Sequence, residues 1–369
     1  MRFVIFTHSL VSDWNHGNAH FLRGIATELI DAGHDVRIFE PANGWSLSNL
    51  IADRGISAIS EFARAYPRLR SRLYDEAELD PARVLRKADV AIVHEWNSPG
   101  LVRRIGQYRA ANPHLRLYFH DTHHRSVTDA DAMKCYDLRH YDGVLAYGCV
   151  IRDLYLGRGW AKNAWTWHEA ADTRVFHPMP GAASEGDLVW IGNWGDGERS
   201  EEIREFLIEP VRALRLRARV YGVRYPAHAI EALKAAGIEY AGSLPNYRVP
   251  RIFSRFRVTV HIPRRPYVRA LPGIPTIRPF EALACGIPLV SAPWSDSEHL
   301  FRPGTDFLFA RDAREMTDSL RAVLEDPTMA LGLAARGLET ILDRHTCAHR
   351  AAELLSLVSS HSKVAVQGT

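Results

Sequence analysis

Short apolar runs recur along the whole chain, each followed by a polar or glycine-bearing loop and then a helical pattern. Residues 2–8 form the first, a continuous apolar run of the kind a strand buried on both faces requires. The loop SDWNHGNAH follows. Next comes a helix whose apolar residues, Phe21, Leu22, Ile25, Ala26, Leu29 and Ile30, share one stripe and which ends at Gly33. A strand at 36–39 completes a βαβ unit, and a repeated βαβ pattern builds a parallel sheet with helices on both faces. Residues 46–87 read as mainly helical. Strands at 89–93, 115–119, 143–147 and 164–167 continue the series. The alternation restarts with strands at 188–191, 218–221, 238–241, 258–262, 289–292 and 307–309. Helices at 201–214, 227–236, 246–256, 276–285 and 313–325 lie between them. Residues 328–360 read as helix, and 364–369 as a frayed tail.

At 369 residues the chain exceeds one ordinary core, and 46% apolar residues supply two. The best linker is PMPGAASEGD, residues 178–187. The expected division is 1–177, 178–345, and a C-terminal helix with tail at 346–369 that packs back on the N-terminal domain or lies as an ordinary surface helix. A formal net charge of +3 with interspersed signs leaves no nucleic-acid footprint. Cys135, Cys149, Cys285 and Cys347 show no CxxC spacing and read as reduced thiols in a cytoplasmic protein. The opening strand is no signal peptide, and no apolar run approaches the ~18–20 residues that span a bilayer. A peripheral membrane contact is the most such a chain would make.

One stretch, PTIRPFEALACGIPLVSAP at 275–293, joins a short helix to a buried strand. Pro275 and Pro279 fit only before or within a first helical turn, Thr276 is positioned as N-cap, and Gly286 with Pro288 is a stop signal. Glu281 is the single acid in this apolar helix. A carboxylate there needs a partner, and a sugar hydroxyl and Arg278 are both candidates.

Polar chemistry gathers at strand ends. The strands ending at His8, His94-Glu95, His120-Asp121 and His168-Glu169 all point into one crevice in an open α/β sheet. With 18 histidines in the chain, a plain surface role explains any single one as well. The run HDTHH, residues 120–124, contains metal-ligand types but no fixed metal spacing. The DAD triplet at 129–131 opens a helix, where acids favour the dipole. In the second half GNWGDGERS, residues 192–200, is a glycine-rich loop before a helix. Its N–H groups and Arg199 suit a diphosphate, although neither GxxxxGK[ST] nor GxGxxG is present. Arg264, Arg265, Arg269 and Arg278 form either a phosphate-binding group or a solvated basic face.

Four stretches resemble the nucleotide-sugar glycosyltransferases of the GT-B fold, specifically the retaining "group 1" family with features of its CgeB-like spore-maturation branch. They are residues 15–36, residues 169–178 (EAADTRVFHP), residues 278–293 (RPFEALACGIPLVSAP) and residues 303–312 (PGTDFLFARD). The third is the most specific. The resemblance implies two doubly wound Rossmann-like domains facing a central cleft, with the acceptor mainly on the N-terminal domain and the donor on the C-terminal one. By the same resemblance Glu281 matches the glutamate that binds the ribose. Gly192, Asn193 and Arg199 match the region that holds the diphosphate, and Arg264, Arg278 and Thr276 join that donor site. His120 matches the histidine that reaches the transferred sugar, with Asp121 beside it. Asn15, His16 and Gly17 match the glycine loop near diphosphate and acceptor. Two positions depart from the pattern. Gly273 stands where the family carries a second glutamate, and Asn193 where arginine is common.

The expected reaction moves a sugar from a UDP-type donor to a glycan, lipid, protein or small-molecule acceptor without a metal or other cofactor. N–H groups and arginines would stabilise the leaving diphosphate, and the leaving phosphate itself would take the acceptor proton. An inverting enzyme would instead need a base from Asp13, Glu95 or Asp121. Two rival readings are a nucleotide-sugar epimerase of the same architecture and a degenerate protein that binds the sugar nucleotide without turnover.

Overall fold

The structure is a computed structural model. It describes residues 1–179, 181 and 183–366, with side chains up to residue 360. The chain divides into two compact units, 1–169 with 347–369, and 170–346.

Unit 1 is built on a seven-stranded sheet: β1 (Arg2–Phe6), β2 (Asp35–Pro41), β3 (Ser71–Tyr74), β4 (Val90–His94), β5 (Arg116–Asp121), β6 (Gly143–Ala146) and β7 (Ala164–Thr166). All neighbours are parallel, in the order β3-β2-β1-β4-β5-β6-β7. The central strands β1, β4, β5 and β6 are buried almost throughout, as the unbroken apolar runs require. The edge strand β3 falls inside the region expected to be mainly helical. Only Tyr74 of its four residues is buried and Leu73 is exposed, so it carries no strand-like apolar run. The C-terminal helix Cys347–Val366 packs on the first helix, Ala19–Asp31, and Trp167 Nε1 donates to the Arg350 carbonyl at 2.9 Å. Val364 to Val366 of the expected tail belong to this helix, and 367–369 lie outside the described residues.

Unit 2 carries a six-stranded parallel sheet: β8 (Gly186–Ile191), β9 (Ala218–Tyr221), β10 (Glu239–Tyr240), β11 (Phe256–His261), β12 (Leu289–Ser291) and β13 (Leu308–Phe309). Its order is β10-β9-β8-β11-β12-β13. The core between sheet and helices includes Trp190, Phe206, Leu207, Val258, Val290 and Leu320. The helix expected at 246–256 is shorter, a 3₁₀ turn at Asn246–Arg248 followed by Val249–Phe253, because β11 already begins at Phe256. A short helix at Arg265–Ala270, absent from the sequence reading, starts on Pro266. Among the described residues no helix is long and apolar enough to cross a membrane.

In each sheet the strand order reverses once, between β1 and β4 in unit 1 and between β8 and β11 in unit 2. The crevice beyond the strand C-termini at such a point is where open α/β sheets bind ligands. His8 and His94 stand at the first, Gly192 and His261 at the second.

Candidate functional site

In unit 2 the loop after β8 is held tightly. A Cβ on Gly222 would overlap the Gly192 carbonyl oxygen, and Tyr225 Oη donates to that oxygen at 2.9 Å. Arg199 turns inward. Its Nε and Nη2 donate to the Asn193 carbonyl at 3.2 and 2.7 Å, Nη2 also reaches Asn193 Oδ1 at 2.6 Å, and Nη1 donates to the Ile262 carbonyl at 3.0 Å. Arg199 therefore ties the ends of β8 and β11 together across the switch point and fixes the loop. Burial, and then the neighbouring Arg264, lower it to about 9, so it stays charged at neutral pH. Arg264 reaches Asn193 Oδ1 at 3.2 Å and pairs with Glu198 at 2.9 Å. Asn193, read from the sequence as a departure, serves as the acceptor that both guanidinium groups share. An arginine there would place a third cation where the other two need an oxygen. Glu201 and Glu202 occupy the first turn of the following helix and already complement its N-terminus.

Glu281 lies in the helix Ile277–Ala284 and is fully buried. Of the two partners considered from the sequence, the structure shows Arg278, whose Nη1 donates to Glu281 Oε2. Asn246 Nδ2 donates to Oε1 at 2.6 Å. Thr276 occupies the N-cap position with φ 63°, and its side chain makes no cap bond. A β-branched residue in the left-handed region is strained. His261, unnoticed in the sequence reading, ends β11 between these groups. Its Nδ1 lies 2.9 Å from Ser291 Oγ, and burial followed by Arg199 and Arg278 lowers it to about 3. The signal was available: β11 ends in histidine as several strands of unit 1 do.

The glycine at 273 suits its backbone conformation. Its φ is +89°, and a Cβ there would lie 2.5 Å from Glu298 Oε1. A side chain at 273 would be strained by this backbone, and the Glu298 side chain would have to move aside for it.

Unit 1 brings four imidazoles into a row at its switch point. Ring centroids are 4.9 Å apart for His8 and His16, 6.1 Å for His16 and His94, and 5.4 Å for His94 and His120. Burial lowers His8 to about 4 and His120 to about 3. It also holds His16 and His94 well below the ordinary range, helped by His8 on the first and by His120 on the second. All four are neutral near pH 7. Nε2 of His8 and of His120 are buried with no hydrogen-bond partner among the described residues. Asn15, with φ 51°, and the exposed Gly17 flank His16 in the loop after β1. His168 Nδ1 lies 3.1 Å from the Tyr147 carbonyl oxygen.

The candidate bases are all engaged. Asp13 pairs with the buried Arg23 at 2.8 Å. Glu95 accepts from Arg125 Nη2 at 3.0 Å and from the Thr122 N–H at 3.1 Å. Burial and the Asp121 carboxylate raise it to about 8 against the pull of Arg125. Asp121 accepts from Tyr155 Oη at 2.9 Å and from the His123 N–H at 3.1 Å, and burial raises it to about 6. The HDTHH run does not assemble a cation site: His124 Nδ1 lies 2.8 Å from Thr128 Oγ1, and no group of His, Cys, Asp and Glu able to hold a metal occurs among the described residues. Asp129 of the DAD triplet caps the helix Ala130–Lys134.

Comparison with known proteins agrees with this architecture. A family model described as "Glycosyl transferase-like" matches residues 199–356. No curated protein matches the chain in sequence. Sucrose-phosphate synthase from Thermosynechococcus elongatus is similar in structure, with TM-score 0.67 and 14% identity over 99% of this chain and 100% of that one. Anabaena Alr3699/HepE, solved with UDP-glucose, gives 0.70 and 14% over 98% and 100%. An alpha-glucosyltransferase solved with UDP and a 13-mer DNA gives 0.68 and 13% over 97% and 99%. The fold is thus GT-B, two Rossmann-like units on parallel sheets, and residues 199–356 are similar to the family described as glycosyl transferase-like.

Proposed function

We propose that the protein is a glycosyltransferase that takes a sugar from a UDP-type donor bound on unit 2 and passes it to an acceptor bound on unit 1. The observation that carries this reading is the position of the family match. Residues 199–356 contain Arg199, Arg264, Arg278 and Glu281, and these residues stand around the C-terminal ends of β8 and β11. Among the solved proteins of similar fold, Anabaena Alr3699/HepE holds UDP or UDP-glucose. In the proposed complex Arg278 turns from Glu281 to the diphosphate and Glu281 accepts the ribose hydroxyls. Arg199 keeps the loop in shape while Arg264 and the Gly192 region face the phosphates. Fixed cations stabilise the negative charge that develops on the leaving diphosphate. Metal independence and retention are part of this reading, supported by the guanidinium groups near the switch point and by the pairing of Asp13, Glu95 and Asp121.

In this reading neutral His120, whose Nε2 has no partner among the described residues, gives one hydrogen bond to the transferred sugar. The CgeB-like branch is the narrower assignment we favour on residues 278–293. Net charge argued against nucleic acid, but a protein of this fold has been solved with DNA, so an oligonucleotide belongs in any acceptor panel. The test is donor hydrolysis without acceptor. UDP-glucose, UDP-galactose and UDP-N-acetylglucosamine are incubated with the protein, with and without EDTA. Slow release of UDP from one of them, unchanged by EDTA, is expected. Return of an epimerised sugar nucleotide, or no change in any donor, would contradict the reading.

A further inference from the structure

A cavity of about 600 Å³ opens between the loops after β8 and β9 in unit 2. Small-molecule sites typically measure about 300–1,000 Å³. The order β10-β9-β8-β11 places the cavity one strand over from the β8–β11 switch point. Its walls are aromatic: Trp194 comes from the first loop, and Tyr225 and His228, with Pro226, from the second. Trp194 is 3% exposed and belongs to the core, so that wall is fixed. The Tyr225 ring packs on Tyr240 with centroids 4.7 Å apart, and its hydroxyl donates to the Gly192 carbonyl, so the second wall is held as well. The ring planes stand at 58° for Trp194 and Tyr225 and at 81° for Trp194 and His228. They form a corner, not the parallel slot that would clasp a flat base from both sides. At the exposed rim Arg224 Nη2 lies 3.0 Å from Asp196 Oδ2. Both residues sit in left-handed backbone, at φ 61° and φ 50°. That conformation is uncommon outside glycine and collects at ligand-binding sites.

We propose that this cavity is a second binding site of unit 2, separate from the proposed nucleotide site, and that it takes an uncharged saccharide. The C–H face of a pyranose carries slight positive charge and packs against the negative face of an aromatic ring. A guanidinium only donates and a carboxylate only accepts, so the rim pair meets neighbouring hydroxyls, each of which does both. Being exposed, that pair opens at little cost to admit them. A phosphate or carboxylate would gain from Arg224 but face Asp196 beside it. Such a site stands whether or not a nucleotide sugar is the donor.

Glucose, galactose, mannose and N-acetylglucosamine, with glucuronate and glucose 6-phosphate as charged comparators, are titrated by saturation-transfer NMR. The proteins are the wild type, Arg224→Gly and His228→Ala, each with and without saturating UDP. At least one neutral sugar is expected to bind the wild type, with UDP present or absent, and more tightly than either anion. Arg224→Gly puts glycine where the backbone is left-handed, so its melting temperature is expected to hold. That variant and His228→Ala, a change at an exposed side chain, are each expected to weaken the sugar by about fivefold or more and to leave UDP affinity within about twofold. No neutral sugar bound, a sugar affinity unchanged in both variants, or an anion preferred overturns the assignment. Displacement of the sugar by UDP also overturns it, since the cavity would then be part of the nucleotide site. Absence of UDP binding removes the donor reading alone, and the saccharide site is then judged on the sugars.

Discussion

Acidification from pH 6.5 to pH 4.5 is expected to cost unit 1 a large share of its stability. His8, His16, His94 and His120 are held neutral in the fold, His8 titrating at about 4 and His120 at about 3. In the unfolded chain each takes a proton near pH 6.5. Below that pH unfolding binds protons, so stability falls as pH falls, by about 1.4 kcal/mol per pH unit for each histidine. Glu95 and Asp121 act in the opposite sense. Their folded-state values of about 8 and about 6 lie above the ordinary range, so at pH 5 unfolding releases their protons. Four gained against two lost leaves about two protons taken up at pH 5, a slope of about 3 kcal/mol per pH unit. Across the interval the loss is about 4–6 kcal/mol, a large share of the 5–15 kcal/mol typical of a domain. Near pH 7 the roughly one proton that the four unfolded histidines still bind is matched by the one that Glu95 keeps in the fold, so the optimum lies near pH 7 and stability declines gently toward pH 8. Calorimetric melting across pH 4–8 checks this. His120→Gln should flatten the acid limb by about 1.4 kcal/mol per pH unit. A midpoint independent of pH between 4.5 and 6.5 would show that the imidazoles are not held neutral.

Replacing Arg278 with alanine is expected to destabilise unit 2 by about 3–5 kcal/mol, because it leaves the fully buried Glu281 without its ion partner. Asn246 retains one hydrogen bond to the carboxylate, and Arg278 keeps some contact with water, which places the value toward the lower end. For a unit of this size the melting temperature should fall by roughly 6–12 °C. Removing both charges, with Arg278→Met and Glu281→Gln together, should cost less than Arg278→Ala alone, since no uncompensated charge remains. A double substitution as harmful as the sum of the single ones would show that the two side chains act independently.

The parallel sheets were legible in the sequence because buried strands such as β1, β4 and β11 are continuous apolar runs closed by polar loops. Strand β3 was not, since an edge strand with one buried residue in four has no burial pattern to read. The position of Thr276 at the helix start was legible, while its left-handed backbone was not, because nothing local in TIRPFE demands it. Among the site residues, Glu281 was identifiable as an acid in an apolar helix, and its pairing with Arg278, three residues away, follows from helical spacing. The inward turn of Arg199 was hidden, since it depends on carbonyls at Asn193 and Ile262 that only the fold brings together.

The central claim is that unit 2 binds a nucleoside diphosphate around Glu281 and Arg278. A thermal-shift panel of UDP, GDP, ADP, dTDP and CDP on the wild type and on Glu281→Gln tests it directly. UDP should raise the melting temperature of the wild type, and the substitution should weaken that shift. No shift with any of the five, or an equal shift in both proteins, would contradict it.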